Sequence, residues 1–150
     1  MSKNKIVLGI GLLIIFLFLE LFFYLKKENE DYKNEKKASL GECAINLEIV
    51  SEDEKRKRGL SNRDSLCDNC GMLFLFDKEG DYFFWMKDMR FPIDIIWLRD
   101  NEVVYIAQNV SHQSKSVYSS REKADKVLEL NANDASRCNI KIGDKLTKKQ

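Results

Sequence analysis

The chain has 150 residues, 44% of them hydrophobic and 33% charged, with 25 basic residues against 24 acidic ones, four cysteines, seven glycines and one proline. These counts exclude collagen-like, low-complexity and highly charged disordered classes and leave room for one ordinary globular domain. The balanced charge gives no broad basic field to collect phosphates, so no nucleic acid is expected as a partner.

The run from Ile6 to Leu25 is 20 positions long and is broken only by Gly9, Gly11 and Glu20. At about 1.5 Å per helical residue it spans roughly 30 Å, the thickness of a bilayer core. A cleaved signal peptide would carry a shorter apolar region, about 7–15 residues, with a small-residue cleavage site close behind it. Here Lys26-Lys27-Glu28-Asn29-Glu30 follows, and Glu42 stands where a lipoprotein site at Cys43 wants a small residue. Glu20 lies toward one end of the run, where a carboxylate snorkels or pairs. The expected organisation is a short tail over 1–5, a single transmembrane anchor over 6–25, a charged linker over 26–41 and a globular domain over 42–150. Lysines flank the anchor on both sides and more heavily on the carboxyl side, which taken literally opposes export. The very short amino-terminal tail argues the other way, and the expectation is a single-pass protein of the cell membrane with its soluble domain on the extracytoplasmic side. Without Lys3, Lys5 and Glu20 the remaining 125 residues carry 23 basic and 23 acidic side chains, a neutral domain large enough for one core.

Beyond the linker the pattern turns to strands. Cys43, Ile45, Leu47 and Ile49 alternate with Ala44, Asn46 and Glu48, as a half-buried strand does. Ser51 with Glu54 makes a capping box for a short helix from Glu52 to Leu60. Met72 to Phe76 and Tyr82 to Lys87, separated by Asp77-Lys78-Glu79-Gly80-Asp81, read as a hairpin with apolar residues on both faces. Ile93 to Leu98 and Glu102 to Ala107 read as a second, turned at Arg99-Asp100-Asn101. A polar stretch from Gln108 to Asp125 holds the only histidine, His112; then come a strand at Lys126 to Leu130, a helical turn at Asp134 to Cys138 and a closing segment at Ile140 to Leu146. The expected fold is mainly β, a compact antiparallel sandwich or barrel with one or two short helices, preceded by the transmembrane helix.

Arg58-Gly59-Leu60, Arg63, Gly71-Met72-Leu73-Phe74, Phe84-Trp85-Met86-Lys87, Pro92-Ile93-Asp94-Ile95-Ile96, Val127-Leu128-Glu129-Leu130 and Gly143-Asp144 follow one another in that order. This succession resembles the domain of unknown function 192 (DUF192) family of small bacterial and archaeal domains, over roughly Ala44 to Leu146. The resemblance implies a compact, mainly β domain with no established activity. The chain departs from the family pattern at Cys67-Asp68-Asn69-Cys70, at Asp88-Met89 and in the 108–125 loop, which lacks prolines.

Cys67 and Cys70 have a spacing that suits a tight disulfide, a zinc knuckle or a redox dithiol, whereas Cys43 and Cys138 stand 95 positions apart. A thioredoxin-like role needs a βαβ setting that the β-rich pattern does not offer. An exported domain with an even cysteine count favours disulfides, preferably Cys43 with Cys138 and Cys67 with Cys70; zinc at Cys67 and Cys70 and free thiols are the alternatives. No other metal site and no cofactor are expected.

Charged residues inside apolar strands carry the functional reading. Period-two alternation puts Lys87 with Phe83 and Trp85, places Asp94 with Ile96 and Leu98, and sets Glu129 between two leucines. A lone buried charge costs several kcal/mol by order of magnitude, so each must be paired, hydrogen-bonded or at a pocket mouth. One reading is a structural ion-pair network involving Arg58 or Arg63; the other is a ligand-binding cleft in which Arg58, Arg63, Lys87, Asp94 and Glu129 converge beside Trp85. The aromatics Phe83, Phe84, Trp85, Phe91 and Trp97 stack on a sugar ring in the second reading and pack the core in the first. The expected role is non-catalytic binding of a small molecule, a glycan or an envelope component. Two alternatives are a glycan-active hydrolase with Asp94 and Glu129 as its carboxylate pair and a structural or interaction module of an envelope complex. Nothing in the sequence sets an oligomeric state.

Overall fold

The computed structural model describes residues 15–22 and 35–148, and the chain divides into two units, Met1–Asn34 and Glu35–Gln150. In the first unit residues 15–22 form a helix, α1, whose large apolar side chains, Ile15 and Phe22 among them, are exposed. The rest of the expected anchor over 6–25, and residues 26–34 of the linker, lie outside the described residues. Among the described residues no helix is long and apolar enough to cross a membrane.

The second unit runs β1 (Glu35–Leu40), β2 (Cys43–Val50), α2 (Asp53–Arg58), β3 (Cys70–Gly80), β4 (Phe84–Trp85), β5 (Ile93–Arg99), β6 (Glu102–Val110), β7 (Val117–Tyr118), β8 (Ala124–Asn131), α3 (Asp134–Arg137) and β9 (Thr147–Lys148). Seven strands form one sheet in the order β6-β5-β8-β3-β2-β1-β9, and β4 pairs with β7 in a separate ribbon. The end of the chain draws the sheet into a curled half-barrel. Asn101, in the turn before β6, and Val103, within it, bond the backbone of Gly143, Asp144 and Leu146, while Thr147 and Lys148 pair with Ser39 and Ala38 of β1.

Several expectations change. The linker gives way to structure at Glu35, because Ala38 and Leu40 bury themselves in the core while Lys36 and Lys37 keep this strand soluble. The sheet is not wholly antiparallel: β2 and β3 run parallel, which a crossover as long as 51–69 permits. Met72–Phe76 does not pair with Tyr82–Lys87. Strand β3 lies between β2 and β8, and only Phe84 and Trp85 of the second segment are extended, against Tyr118 and Val117. The helix is shorter than expected, with Glu52 as its N-cap and no side-chain capping bond. The hairpin of β5 and β6 is found, with Asp100 and Asn101 at φ 50° and 69° in the two turn positions, the left-handed pair that a tight hairpin requires.

Register explains where the core sits. Leu73, Ile96, Leu98, Leu128 and Leu130 point into the curl with Ala38, Leu40, Ile45 and Leu47. Met72, Phe74, Ile93, Ile95, Trp97 and Val127 point outward, under a cover that includes Leu60, Met86 and Phe84. The three central strands β3, β8 and β5 are therefore buried on both faces. Gly71 marks how tightly the inner side closes, since a Cβ there would stand 2.8 Å from Leu130 and 2.9 Å from Leu128 side-chain carbons.

Both disulfides form as paired in the sequence reading, Cys43 with Cys138 and Cys67 with Cys70. Zinc ligation by Cys67 and Cys70 is thereby displaced, since neither sulfur is available as a thiolate. Chain-entropy reasoning makes the two bonds unequal. Replacing Cys43 and Cys138 together with serine is expected to cost about 4.7 kcal/mol, against about 2 kcal/mol for Cys67 and Cys70 together. Urea unfolding of the two double variants checks this; equal losses would contradict it.

Candidate functional site

On the outer side a pocket of about 230 Å³ is walled by α2, the tip of β3 and the segment around β4. Its inner end is made by Leu60, Phe74 and Glu129, all buried. Its sides are Phe76, Tyr82 and Phe84, and its mouth carries Phe83 and Trp85, 67% and 63% exposed. The aromatic walls hold one another in place. Phe76 stacks on Tyr82 with centroids 3.5 Å apart, Phe84 stands edge-on to both Phe74 and Trp97, and the Arg56 guanidinium lies 5.2 Å from the Phe76 ring centre.

Helix α2 supplies the charge by simple arithmetic of spacing. Glu52, Asp53 and Glu54 pair at i,i+3 with Lys55, Arg56 and Lys57. The fourth base in the run, Arg58, finds a lysine three positions before it and forms no ion pair among the described residues. It lines the pocket together with Arg56 and Lys57. Gly59 follows at φ 49° and ψ −134°, a conformation that L side chains rarely adopt. A Cβ there would lie in ordinary contact, 3.4 Å from Phe74 and 3.8 Å from Glu129 Oε2, so the backbone conformation rather than space asks for glycine where the helix end meets the acid.

Glu129 is the unusual group. It sits in β8 opposite Met72 and Ile95, is 6% exposed, and its Oε2 has no hydrogen-bond partner. Burial pushes its carboxyl up to about 8, with the nearby positive charge of Arg63 acting only partly against it. Arg63 is engaged by Glu48 through two bonds of 2.7 and 2.9 Å. At neutral pH Glu129 is therefore a neutral acid in an aromatic pocket.

Of the six residues expected to converge, Arg58, Trp85 and Glu129 line the pocket, and Arg63 acts on it from its pairing with Glu48. Lys87 does not join them; it flanks a separate shallow depression with Lys115 and Val117, and its carbonyl accepts the Ser61 hydroxyl. Asp94 is excluded outright. It faces the inside of the curl opposite Leu130, is fully buried, and accepts Asn109 N–H and Ala135 N–H, each at 2.8 Å. Those bonds fasten the bulge in β6, where Asn109 has φ 52°, to the first turn of α3. Because Asp94 and Glu129 project from opposite faces of one sheet, they cannot flank a single scissile bond, and the carboxylate-pair hydrolase is withdrawn. Trp97 and Met86 are core residues. Among the described residues no cluster of three or more His, Cys, Asp or Glu is placed to hold a metal. Arg56, Phe74, Phe76, Tyr82 and Met89 belong to the pocket without having been expected there. For all but Met89 their aromatic or basic character is the signal the sequence offers.

Curled half-barrel and one-sided pocket together define a small, mainly β domain with a cavity on its outer face. The chain belongs to the DUF192 family, described as an uncharacterized ACR, whose pattern matches residues 35–148. It is similar to a Sinorhizobium meliloti protein provisionally described as a transcription regulator (28% identity, TM-score 0.73, 76% of this chain and 93% of that one). It is also similar to a protein of unknown function from Novosphingobium aromaticivorans (29% identity, TM-score 0.68, 75% of this chain and 82% of that one). No curated protein matches the chain.

The state of Glu129 has a consequence for stability. Above its ordinary value of 4.5 the unfolded chain releases this proton, while the folded chain keeps it up to about 8. Within that window the folded state binds more protons, so stability is fully present below the window and falls as pH rises through it, by on the order of 5 kcal/mol. Glu129→Gln is expected to flatten this slope. Denaturant unfolding of both proteins across the window checks it, and parallel curves would contradict it.

Proposed function

We propose that this protein is a membrane-anchored, extracytoplasmic binding module whose pocket takes a small molecule, a glycan unit or an envelope component without altering it. The observation that carries the reading is the pocket itself: a concave, aromatic-walled site with a few convergent polar groups, one of them a buried acid whose Oε2 has no hydrogen-bond partner. The apolar run over 6–25 supports the anchor, and two disulfides with no free cysteine among the described residues support an oxidising compartment. A DNA-binding role, suggested by the description of the Sinorhizobium protein, finds little support. The one basic run here sits on a six-residue helix with three of its four cations already paired.

A second reading, an interaction module of an envelope complex, draws on the exposed Phe83, Trp85 and Val117. They form an apolar margin across the paired strands β4 and β7.

Native mass spectrometry of the full chain, taken from its own membrane in detergent, tests the binding reading. The expected result is a small mass excess that vanishes on denaturation and is lost in Trp85→Ala. A protein-sized excess would favour the interaction module, and no excess at all would contradict the binding reading.

A further inference from the structure

The pocket is one-sided in charge as well as in shape. Among the described residues Glu129 is the only acidic one lining it, against Arg56, Lys57 and Arg58, and a fourth cation, Arg63, acts on the acid through its charge. Arg56 is held by Asp53 and by the Leu75 carbonyl, and Lys57 by Glu54, so Arg58 is the cation left to meet a ligand. Most of the remaining wall is aromatic, with Leu60, Ser61 and Met89 between the rings. An occupant that satisfies all three features brings a ring for Phe74, Phe76, Tyr82 and Phe84, an acceptor for the buried acid and a negative charge for Arg58.

From this arrangement we infer that the pocket binds a small ring-bearing organic carboxylate, one of whose oxygens accepts a hydrogen bond from the carboxylic acid of Glu129 while Arg58 balances its charge. The inference rests on the binding reading above and names the ligand class. No covalent change is involved; the single proton between the two carboxyl groups stays on Glu129. An ammonium ligand is the natural rival, because rings beside an ionised carboxylate attract cations. The charge balance of the site opposes it, since Arg56, Lys57 and Arg63 are each matched by an acid and a positive ligand would enter against the remaining cation, Arg58.

The groups that face Glu129 make the pH response simple. Helix α2 contributes Arg56, Lys57 and Arg58, the following loop contributes Arg63 with its Glu48 partner from β2, and the segment before β4 contributes Tyr82. The paired positions on β3 and β5 are Met72 and Ile95, which do not titrate. Glu129 is thus the group that changes charge as the solution becomes mildly alkaline.

The test uses the full chain in detergent micelles and three probes of one shape: benzoate, benzamide and benzylammonium, with affinities from ligand-observed NMR. Benzoate is expected to bind at least about tenfold more tightly than either of the others at neutral pH, a difference that one charge–charge contact supplies. Its affinity should fall about tenfold from pH 7 to pH 9 as Glu129 ionises with a midpoint of about 8. Arg58→Ala should weaken benzoate at every pH. Glu129→Gln, whose amide still donates, should bind benzoate at neutral pH and lose the alkaline fall. Preferential binding of benzylammonium, or of benzamide with loss in Trp85→Ala, would overturn the carboxylate inference and leave the binding reading standing. Binding of none of the three would also overturn the inference, and the native-mass experiment then decides the binding reading by itself.

Discussion

Strands β3, β8 and β5 are buried on both faces, so a polar side chain on them must be given a partner or kept neutral. The two carboxyl groups in β5 and β8 meet this demand in opposite ways. Asp94 turns inward and is met by two backbone N–H groups, which ties the β6 bulge to α3. That helix leads directly into Cys138, whose disulfide reaches Cys43 on β2. One inward carboxylate thus stands at the centre of a chain of constraints linking β5, β6, α3 and β2. Glu129 turns outward, is met by no donor at Oε2, and is kept as a neutral acid by its surroundings. A folded protein does not leave such a group unpartnered without cost. The location of this one, at the inner end of a pocket, is why it is read as functional and Asp94 as structural.

The outer layer explains why the pocket exists. The inner side of the curl closes around leucines and isoleucines until a methyl group at Gly71 has no room. The outer side is covered by loops, a six-residue helix and a two-stranded ribbon, which pack as separate pieces around Phe74 and Trp97. The gap between those pieces is the pocket, and the rings that line it come from the edges of each. Gly59 is the joint where α2 ends against the acid.

Much of this was legible in the chain, for reasons that can be stated residue by residue. A charged residue between Leu128 and Leu130 announces itself by breaking a period-two pattern, and so does Asp94 among isoleucines. The turn at Asp100 and Asn101 uses residue types that tolerate a left-handed backbone. Which strands pair was not legible. Periodicity says which side of a strand is buried and nothing about its neighbour, and β3 lies between β2 and β8 rather than against the segment that follows it. For the same reason Asp94 and Glu129 looked like possible companions, whereas the observed register places them on opposite faces. β1 was hidden because its entry, Glu35-Lys36-Lys37, continues the charged composition of the linker. Arg56 was hidden in a run of four bases, where only the three-residue offset between acids and bases separates the paired cations from Arg58.

The central claim is that Glu129 is a neutral acid in the folded protein at physiological pH. A carboxyl carbon-13 NMR titration of the full chain, with the Glu129 resonance assigned by its absence in Glu129→Gln, reads this directly. A midpoint of about 8 is the result this account predicts. A midpoint near the ordinary 4.5 would mean that the acid is ionised and partnered, and both the pocket's chemistry and its ligand class would have to be argued anew.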